Sequence, residues 1–335
     1  MLISLLLMGS TPLADGALLS SKPCPGAPLA TRAAHRVARE AHLAEERTEA
    51  EGEKIVLPPV APSMLDYGLP SDGAARAAGR YQGFQCREIV YASGGLRIAG
   101  HLWKPIATAG KRLPLVIALR GGRATYEAME PWRYGGFHDF LQAGYVVLST
   151  QYRGGPGSEG ADEFGGRDLD DVRALLPLAR NLGYVDTDRT FLFGGSRGGM
   201  QAYMLARSGF PARAVAIRAG MADMARSFAR RPTLAAPTFR MMGAATPAER
   251  EAAVAARSAV RWANEIKLPT ILFHGGADWR VDPADSLAVA QGMLAAGTPV
   301  ALHLYDGDTH AITFNEADML TRTVAFFDHW GGKAR

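Results

Sequence analysis

The feature of the sequence that most constrains the fold is an alternation of short apolar runs with longer amphipathic segments, which begins near Lys111 and continues to the end of the chain. The apolar runs have the length of buried strands, and the segments between them have the length and polarity of helices. Parallel strands need long crossover connections, which helices supply. The alternation therefore predicts an α/β fold built around a mostly parallel sheet.

The apolar runs predict a sheet of eight strands. Two leading strands, at residues 84–92 and 96–104, are joined by a glycine-containing turn and form an antiparallel hairpin. The other six strands are expected to be parallel and lie at residues 114–119, 145–151, 190–193, 212–218, 269–274 and 300–305. Helices are expected on both faces of this sheet, and a small helical cap is expected in the insertion at residues 221–264.

The residues before the first predicted strand form an appendage to one predicted catalytic domain at residues 84–335. Residues 1–30 combine an apolar opening that resembles a secretory signal with a linker rich in Ser, Pro, Ala and Gly. Residues 31–83 predict a helix with few apolar anchors, exposed or loosely docked, and then a proline-rich irregular stretch. The opening lacks the positive charges of a secretory signal, so we expect a secreted or periplasmic protein if it acts as one and a cytoplasmic protein otherwise.

Charge and cysteine content argue against several classes of function. The formal net charge is +4, but the basic residues are scattered and form no block, so no nucleic-acid partner is expected. No apolar run reaches the ~20 residues that span a membrane, so no stable membrane insertion is expected. Cys24 and Cys86 have no His or Cys neighbours at metal-ligand spacing, so neither a metal site nor a cofactor is predicted. The two cysteines can pair only in an oxidising compartment.

A serine between glycines marks the candidate nucleophile. Ser196 lies between Gly194 and Gly198, after the apolar run at residues 190–193 and before a helix-compatible segment. A nucleophile elbow requires this strand–turn–helix setting, because a tight turn exposes the serine hydroxyl and small neighbours let the turn close. The pattern predicts a serine hydrolase.

A serine nucleophile needs a histidine base and a carboxylate that orients the base. The expected chain order is serine, acid, histidine, and His310 lies in a turn-rich loop just past a predicted strand. His310 is therefore the predicted base. Asp278 is the predicted acid because the Gly275-Gly276 turn brings it to the carboxyl edge of the sheet. The alternative acid, Asp282, precedes a proline and is typical of a helix N-cap.

An acyl-transfer site also needs hydrogen-bond donors for the oxyanion. The backbone N–H of Arg197 is one predicted donor, and Gly121 or Gly122 supplies the other from the loop after an earlier strand. The side chain of Arg120 is expected either to contact substrate or to form a salt bridge within that loop. The other residues expected to bind substrate are Tyr126, Trp132, Met221, Met224 and Trp279. The two methionines fit ordinary helix packing equally well.

Over about residues 84–330 the chain resembles the catalytic domain of the prolyl oligopeptidase family of α/β-hydrolases. The segments that carry the resemblance are residues 151–160, 162–171, 194–199 and 274–278, together with His310. The resemblance implies an α/β-hydrolase fold, a triad of Ser196, Asp278 and His310, and a structural role for the region around Asp168.

Three departures from the family pattern bear on the substrate. Only 83 residues precede the first predicted strand, so the β-propeller that many members carry does not fit. Arg120 stands where members often have a histidine or tyrosine. No counterpart is found for the paired glutamates that hold a substrate's amino terminus in dipeptidyl peptidases, since Glu45-Glu46 lies in the N-terminal helix. Dipeptidyl specificity is therefore not expected.

Together these features predict a serine hydrolase that works through an acyl-enzyme. The family resemblance favours a peptidase whose substrate is a short peptide or another small molecule. Two alternatives stay open. One is a carboxylesterase acting on small apolar esters, which the missing propeller and short cap also fit; the other is a non-catalytic α/β-hydrolase scaffold used for binding. The oligomeric state is not predicted.

Overall fold

The computed structural model describes residues 13–25, 31–67, 69–72, 75, 83–106, 110–129 and 137–331. Nine of the described strands form one sheet. They are β1 (Leu18–Pro23), β2 (Phe84–Ser93), β3 (Leu96–Pro105), β4 (Leu113–Leu119), β5 (Val146–Thr150), β6 (Val185–Gly195), β7 (Ala214–Arg218), β8 (Thr270–Gly275) and β9 (Val300–Tyr305).

The described helices connect these strands and flank the sheet. They are α1 (Arg32–Gly52), α2 (Phe137–Gln142), α3 (Asp168–Asn181), α4 (Arg197–Arg207), α5 (Met224–Arg230), α6 (Pro232–Met241), α7 (Pro247–Arg257), α8 (Pro283–Ala295) and α9 (Glu316–Gly331). Short 3₁₀ turns lie at Pro62–Leu65, Ala259–Arg261 and Ala263–Glu265. The predicted cap insertion thus consists of α5, α6, α7 and two 3₁₀ turns. None of the described helices has the length and apolar character needed to cross a bilayer.

The sheet has the strand order β1-β2-β3-β5-β4-β6-β7-β8-β9. The pairs β1/β2, β2/β3 and β3/β5 are antiparallel, and all pairs from β5/β4 to β8/β9 are parallel. The predicted α/β architecture with a mostly parallel sheet is confirmed. The predicted number of strands was one too low.

Both faces of the sheet are buried, which explains why its strands read as continuous apolar runs. Side chains alternate between the two faces: in β4, Leu115 and Ile117 face the core formed with α3, α4 and α8, whereas Val116 and Ala118 face the core formed with α2 and α9. The strands β4 and β6 lie at the centre of this sandwich. The loops that leave the carboxyl ends of the parallel strands therefore start from a rigid platform.

The additional strand is β1, which the sequence predicts to be part of a linker. It pairs antiparallel with β2 at the edge of the sheet, and most of its side chains are exposed. An edge strand of this kind is held by backbone hydrogen bonds and not by an apolar face, so it leaves no alternating hydrophobic pattern in the sequence. Cys24, which follows β1, forms a disulfide with Cys86 of β2.

Helix α1 is held on the body of the protein by polar contacts. Its N-cap is Thr31, whose side chain accepts from the N–H of Ala34. Ala50 and Glu46 on one side of the helix are buried, and Arg39 donates to the carbonyl oxygen of Thr313 at 3.1 Å. The helix is therefore docked on the body of the protein. The sequence predicts a helix that is exposed or loosely docked, because it contains few of the apolar anchors that usually mark a buried face.

We expect the Cys24–Cys86 disulfide to stabilise the fold, because it closes a chain segment with a sequence separation of 62 residues. Reduction of the wild-type protein should lower the free energy of unfolding by about 2–4 kcal/mol. The double variant Cys24→Ser/Cys86→Ser is the matched control, since its Tm should be equally low with and without reductant. An oxidised wild-type protein that is no more stable than the double variant would contradict the prediction.

Candidate active site

Ser196 lies at a sharp turn between β6 and α4, with φ 55° and ψ −120°. A positive φ is strained for a residue with a side chain, and the turn is held in part by the N–H of Ser196, which donates to the carbonyl oxygen of Arg218 at 2.9 Å. Small neighbours are required: a Cβ on Gly194 would lie 2.4 Å from Gly198 O, and one on Gly198 would lie 2.1 Å from Leu119 O. This is the geometry of a nucleophile elbow.

Two later loops bring a histidine and a carboxylate to the same edge of the sheet. His310 follows β9 and Asp278 follows β8, and Nδ1 of His310 lies 2.7 Å from Oδ2 of Asp278. This contact leaves Nε2 as the ring nitrogen available to a hydroxyl group. Ser196 and His310 line one cavity. The structure thus brings the predicted nucleophile, base and acid together, and their catalytic roles stay a prediction.

Asp278 is buried and accepts hydrogen bonds on both carboxylate oxygens. Oδ1 accepts from the backbone N–H groups of Arg280 at 2.8 Å and Val281 at 3.0 Å, and Oδ2 accepts from His274 and His310. Burial by itself raises the pKa of Asp278, but the adjacent His310 and the hydrogen bonds from both histidines outweigh it and hold the pKa well below its usual range. Asp278 is therefore ionised wherever the fold is intact near neutral pH.

His274 has the role of a support for this carboxylate. Its Nε2 faces two acceptors, Oδ2 of Asp278 at 3.0 Å and the carbonyl oxygen of Val281 at 3.1 Å, so Nε2 carries the hydrogen. Its Nδ1 then accepts from the hydroxyl of Ser286 at 2.7 Å. The alternative acid, Asp282, caps α8 by accepting from Ala284 N–H, as its sequence context predicts.

The loop after β4 passes beside the nucleophile. A Cβ on Gly121 would lie 3.3 Å from the Cβ of Ser196 and 3.1 Å from Oε2 of Glu127, so a larger residue here would need its neighbours to shift by a few tenths of an ångström. Gly122 has φ +65°, which also favours glycine. Arg197 is the first residue of α4, where a backbone N–H has no partner within the helix. These are the positions from which the predicted oxyanion donors can act.

The side chain of Arg197 fixes the distance between this loop and the elbow. Its guanidinium is buried, pairs with Asp162 at 2.6 Å and Asp168 at 2.7 Å, and donates to the carbonyl oxygen of Gly122 at 3.1 Å. Asp162 in turn accepts from the N–H of Ala124 in the same loop. The region around Asp168 is structural in this sense, because its carboxylate holds a buried cation directly after the nucleophile.

Arg120 is buried, and its guanidinium donates to the carbonyl oxygens of Gln151, Gly121, Tyr126 and Ala124. It also lies over the ring of Tyr152. These contacts give the side chain a role in shaping the loop after β4, and both expected roles, a contact with substrate and a salt bridge within the loop, stay predictions.

The cavity at Ser196 has a volume of about 330 Å³. Of the residues predicted to bind substrate, Tyr126 and Met221 line it. Met224 is fully buried in an apolar cluster with Phe164 and Leu234, which is the helix-packing alternative. The ring of Trp279 is buried beneath two guanidinium groups, those of Arg231 and Arg280. Trp132 lies outside the described residues.

Sequence reasoning missed that the cavity is strongly charged. Its lining includes three glutamates and four arginines: Glu49, Glu53, Glu127, Arg123, Arg197, Arg231 and Arg280. Arg280 pairs with Glu49 at 2.7 Å and with Glu127 at 3.0 Å, and the hydroxyl of Tyr126 donates to Glu49. Arg280 lies two residues after Asp278 in the sequence, and this position could have indicated that it lines the cavity. No sequence pattern around Glu49 indicated the same for that residue.

Helix α1 covers the cavity through a polar stripe. Its members, called here the α1 stripe, follow one another at intervals of three and four residues and so share one side of the helix: Arg39, His42, Glu46, Glu49 and Glu53. Glu49 and Glu53 line the cavity directly, and Glu53 accepts from the hydroxyl of Thr233 in α6. The helix thus supplies carboxylates to the site.

Glu46 is the buried member of the α1 stripe. Its Oε1 has no hydrogen-bond partner among the described residues. Burial raises the pKa of Glu46 to about 7; Arg280 opposes this shift, and the carboxylates of Asp278, Glu127 and Glu49 add to it. His42, whose Nε2 lies 3.9 Å from Oε1 of Glu46, has a pKa lowered to about 4 by burial and by Arg280.

The raised pKa of Glu46 predicts how stability depends on pH. Between about pH 4.5 and pH 7 the folded state keeps a proton that the unfolded state releases, so this group lowers the free energy of unfolding as the pH rises, by up to about 3 kcal/mol. Glu46→Gln stays neutral, and its Tm relative to the wild type should therefore increase from pH 5 to pH 8. Glu45→Gln, on the exposed side of α1, should change Tm little at either pH. A Tm difference for Glu46→Gln that is the same at both pH values would rule out this titration.

Among the residues that the structure describes, no three His, Cys, Asp or Glu side chains are grouped so as to hold a metal ion. The expectation of a site without metal or cofactor stays a prediction.

Comparison with known proteins connects this geometry to one family. The family model of the prolyl oligopeptidase family matches residues 135–334. The uncharacterized peptidase YtmA of Bacillus subtilis (strain 168) is 30% identical over 237 residues, which cover 70% of this chain and 90% of that protein. Dipeptidyl aminopeptidase BIII of Pseudoxanthomonas mexicana is 28% identical over 212 residues, which cover 59% of this chain and 30% of that protein.

Solved structures show the same fold. The acylaminoacyl peptidase of Pyrococcus horikoshii superposes with a TM-score of 0.65 at 17% identity, over 76% of this chain and 43% of that one. A puromycin-hydrolyzing peptidase of Mycobacterium tuberculosis gives a TM-score of 0.62 at 19% identity, over 79% of this chain and 41% of that one. The chain thus spans less than half the length of these two structures and nearly all of the Bacillus relative.

Proposed function

Because this chain belongs to the prolyl oligopeptidase family and is therefore a serine-type peptidase, we propose that it hydrolyses short peptides through an acyl-enzyme, with Ser196, His310 and Asp278 as its triad. The observation that carries the proposal is the 2.7 Å contact between His310 Nδ1 and Asp278 Oδ2 beside the cavity of Ser196. An unpaired buried carboxylate at Asp278 would be costly, and the histidine both compensates it and is oriented by it.

In the proposed reaction, Nε2 of His310 takes the hydroxyl proton of Ser196 as the serine oxygen attacks the peptide carbonyl. Negative charge develops on the carbonyl oxygen, where the N–H of Arg197 and one from the Gly121-Gly122 loop stabilise it. The C–N bond then breaks, and His310 gives its proton to the leaving amine. Water attacks the acyl-enzyme by the same route and releases the acid and the free serine.

The restriction to short peptides rests on the position of α1. The helix carries Glu49 and Glu53 into the lining of the cavity, and Arg39 ties it to the loop that bears His310. A cavity of about 330 Å³ covered in this way admits a small substrate. Helix α1 would thus limit access to the nucleophile, as an additional domain could do in a longer chain.

The triad is tested by labelling and by a matched pair of carboxylate variants. A fluorophosphonate probe should label the wild type, and Ser196→Ala should abolish the labelling. Asp278→Asn should lower kcat by about 10⁴-fold, because the amide favours the wrong tautomer of His310. Asp282→Asn is the control, since it changes a helix cap and should leave kcat within a few fold. Full labelling of Ser196→Ala, or the opposite order of the two aspartate variants, would overturn the assignment.

The bond that is cleaved is tested with two series of substrates. The wild type should have measurable kcat/KM on aminoacyl p-nitroanilides, because a peptidase has to protonate an amine leaving group. Short-chain p-nitrophenyl esters serve as the comparison, since they report the acyl-enzyme pathway without that demand. Turnover of esters with none of anilides or peptides would indicate the carboxylesterase alternative, and turnover of neither would indicate a binding scaffold.

A further inference from the structure

Two adjacent arginines at the start of the cap have different surroundings. Arg230 is engaged by the protein, since its Nε donates to the carbonyl oxygen of Trp279 at 2.7 Å and its Nη1 lies 3.2 Å from Asp282. Arg231 lines the cavity of Ser196, and its buried Nε has no hydrogen-bond partner among the described residues. Only the second arginine therefore offers donors to a ligand.

The carboxylates near Arg231 make their hydrogen bonds and ion pairs with other groups, although the hydroxyl that bonds Glu53 does not neutralise its charge. Glu49 pairs with Arg280 and accepts from Tyr126, and Glu53 accepts from Thr233. Glu127 on the far side of Arg280 pairs with that same guanidinium. Within the described part of the chain Arg231 therefore forms no ion pair, and the charges of Glu49 and Glu53 act on it only from a distance.

The guanidinium of Arg231 is held in place by an aromatic ring. Its Cζ lies 5.3 Å from the ring centre of Trp279, whose side chain is buried. A cation–π contact of this kind restrains the guanidinium on the ring side and uses none of its N–H groups, which can still donate. The Nε–H and a neighbouring Nη–H form the pair of parallel donors that a carboxylate accepts.

We propose that Arg231 binds a carboxylate of the substrate, so that the enzyme prefers peptides with an acidic side chain or a free C-terminal carboxylate in this cavity. The inference rests on the proposed function, because it names the substrate class of the same site. Burial and the positive charge of Arg280 lower the pKa of Arg231, Glu49 and Glu53 oppose this shift only in part, and a carboxylate bound directly to the guanidinium would offset it further. A neutral substrate would leave the buried donor without a partner.

The proposal is tested with paired substrates that differ only in charge. One pair exchanges Glu for Gln in a p-nitroanilide series and in dipeptides, and a second pair compares free and amidated C-termini. The wild type should favour the carboxylate member of at least one pair by about 10-fold or more in kcat/KM. The pair that shows this preference tells whether Arg231 binds an acidic side chain or a free C-terminus. In Arg231→Gln this ratio should fall close to one, whereas Arg231→Lys should keep part of it.

Arg250→Gln is the matched control, because Arg250 also lies in the cap and stacks on an aromatic ring, that of Phe239, but does not line the cavity. This variant should keep the wild-type ratio. A ratio near one for every pair in the wild type, or an unchanged ratio in Arg231→Gln, would overturn the proposal.

A binding measurement separates this proposal from the proposed peptidase function. Calorimetry with Ser196→Ala and the same Glu and Gln dipeptides should give at least about 10-fold tighter binding of the carboxylate peptide, which Ser196→Ala/Arg231→Gln should lose. If the enzyme hydrolyses peptides but shows no preference for a carboxylate in kinetics or in calorimetry, the proposed role of Arg231 is wrong and the peptidase function stands. If Ser196→Ala binds the carboxylate peptide selectively but the wild type hydrolyses no peptide, the peptidase function is wrong and the role of Arg231 is supported.

Discussion

The geometry of the site depends on the contacts that the buried guanidinium of Arg197 makes with two carboxylates and one carbonyl oxygen. The guanidinium joins Asp162, Asp168 and the carbonyl oxygen of Gly122, and Arg197 begins the helix directly after Ser196. Removing the guanidinium would leave two buried carboxylates without their cation, a change that typically costs about 3–5 kcal/mol. The spacing between the elbow and the loop after β4 is therefore set before any substrate arrives, which is the condition for effective stabilisation of an oxyanion.

At the other end of the cavity, buried charges are likewise held by several partners. The carboxylate of Asp278 is held by two histidines and two backbone N–H groups, and Arg280 is held between Glu49 and Glu127. His310 reaches Asp278, and Glu49 and Glu127 reach Arg280, from distant chain segments, so moving one of these segments would weaken the compensation of a buried charge in another. The apolar sheet supplies the platform, and these charge pairs place the functional groups on its edge.

Patterns that are local in the chain could be predicted from the sequence, and features that depend on distant polar contacts could not. The parallel strands, the elbow at Ser196 and the preference for Asp278 over the N-cap Asp282 follow from apolar runs and turn residues within a few positions. The strand β1 and the docking of α1 depend on backbone pairing and ion pairs with residues far away in the chain. The few apolar anchors of α1 predict a helix that is exposed or loosely docked, and they give no sign that the polar α1 stripe faces the cavity.

The position of α1 also affects which arginines in the cavity are free of ion pairs and can donate to a substrate. Arg280 follows the acid loop and lines the cavity, and without Glu49 it would have only Glu127 as a partner and would compete for any carboxylate that entered. By placing Glu49 on Arg280, the helix compensates that charge. Arg231, which lies over the ring of Trp279, and Arg123 each keep a buried guanidinium nitrogen with no hydrogen-bond partner among the described residues. If Arg231 binds a substrate carboxylate as proposed, the helix that covers the cavity also contributes to selectivity, because its carboxylates influence which arginines stay without an ion pair.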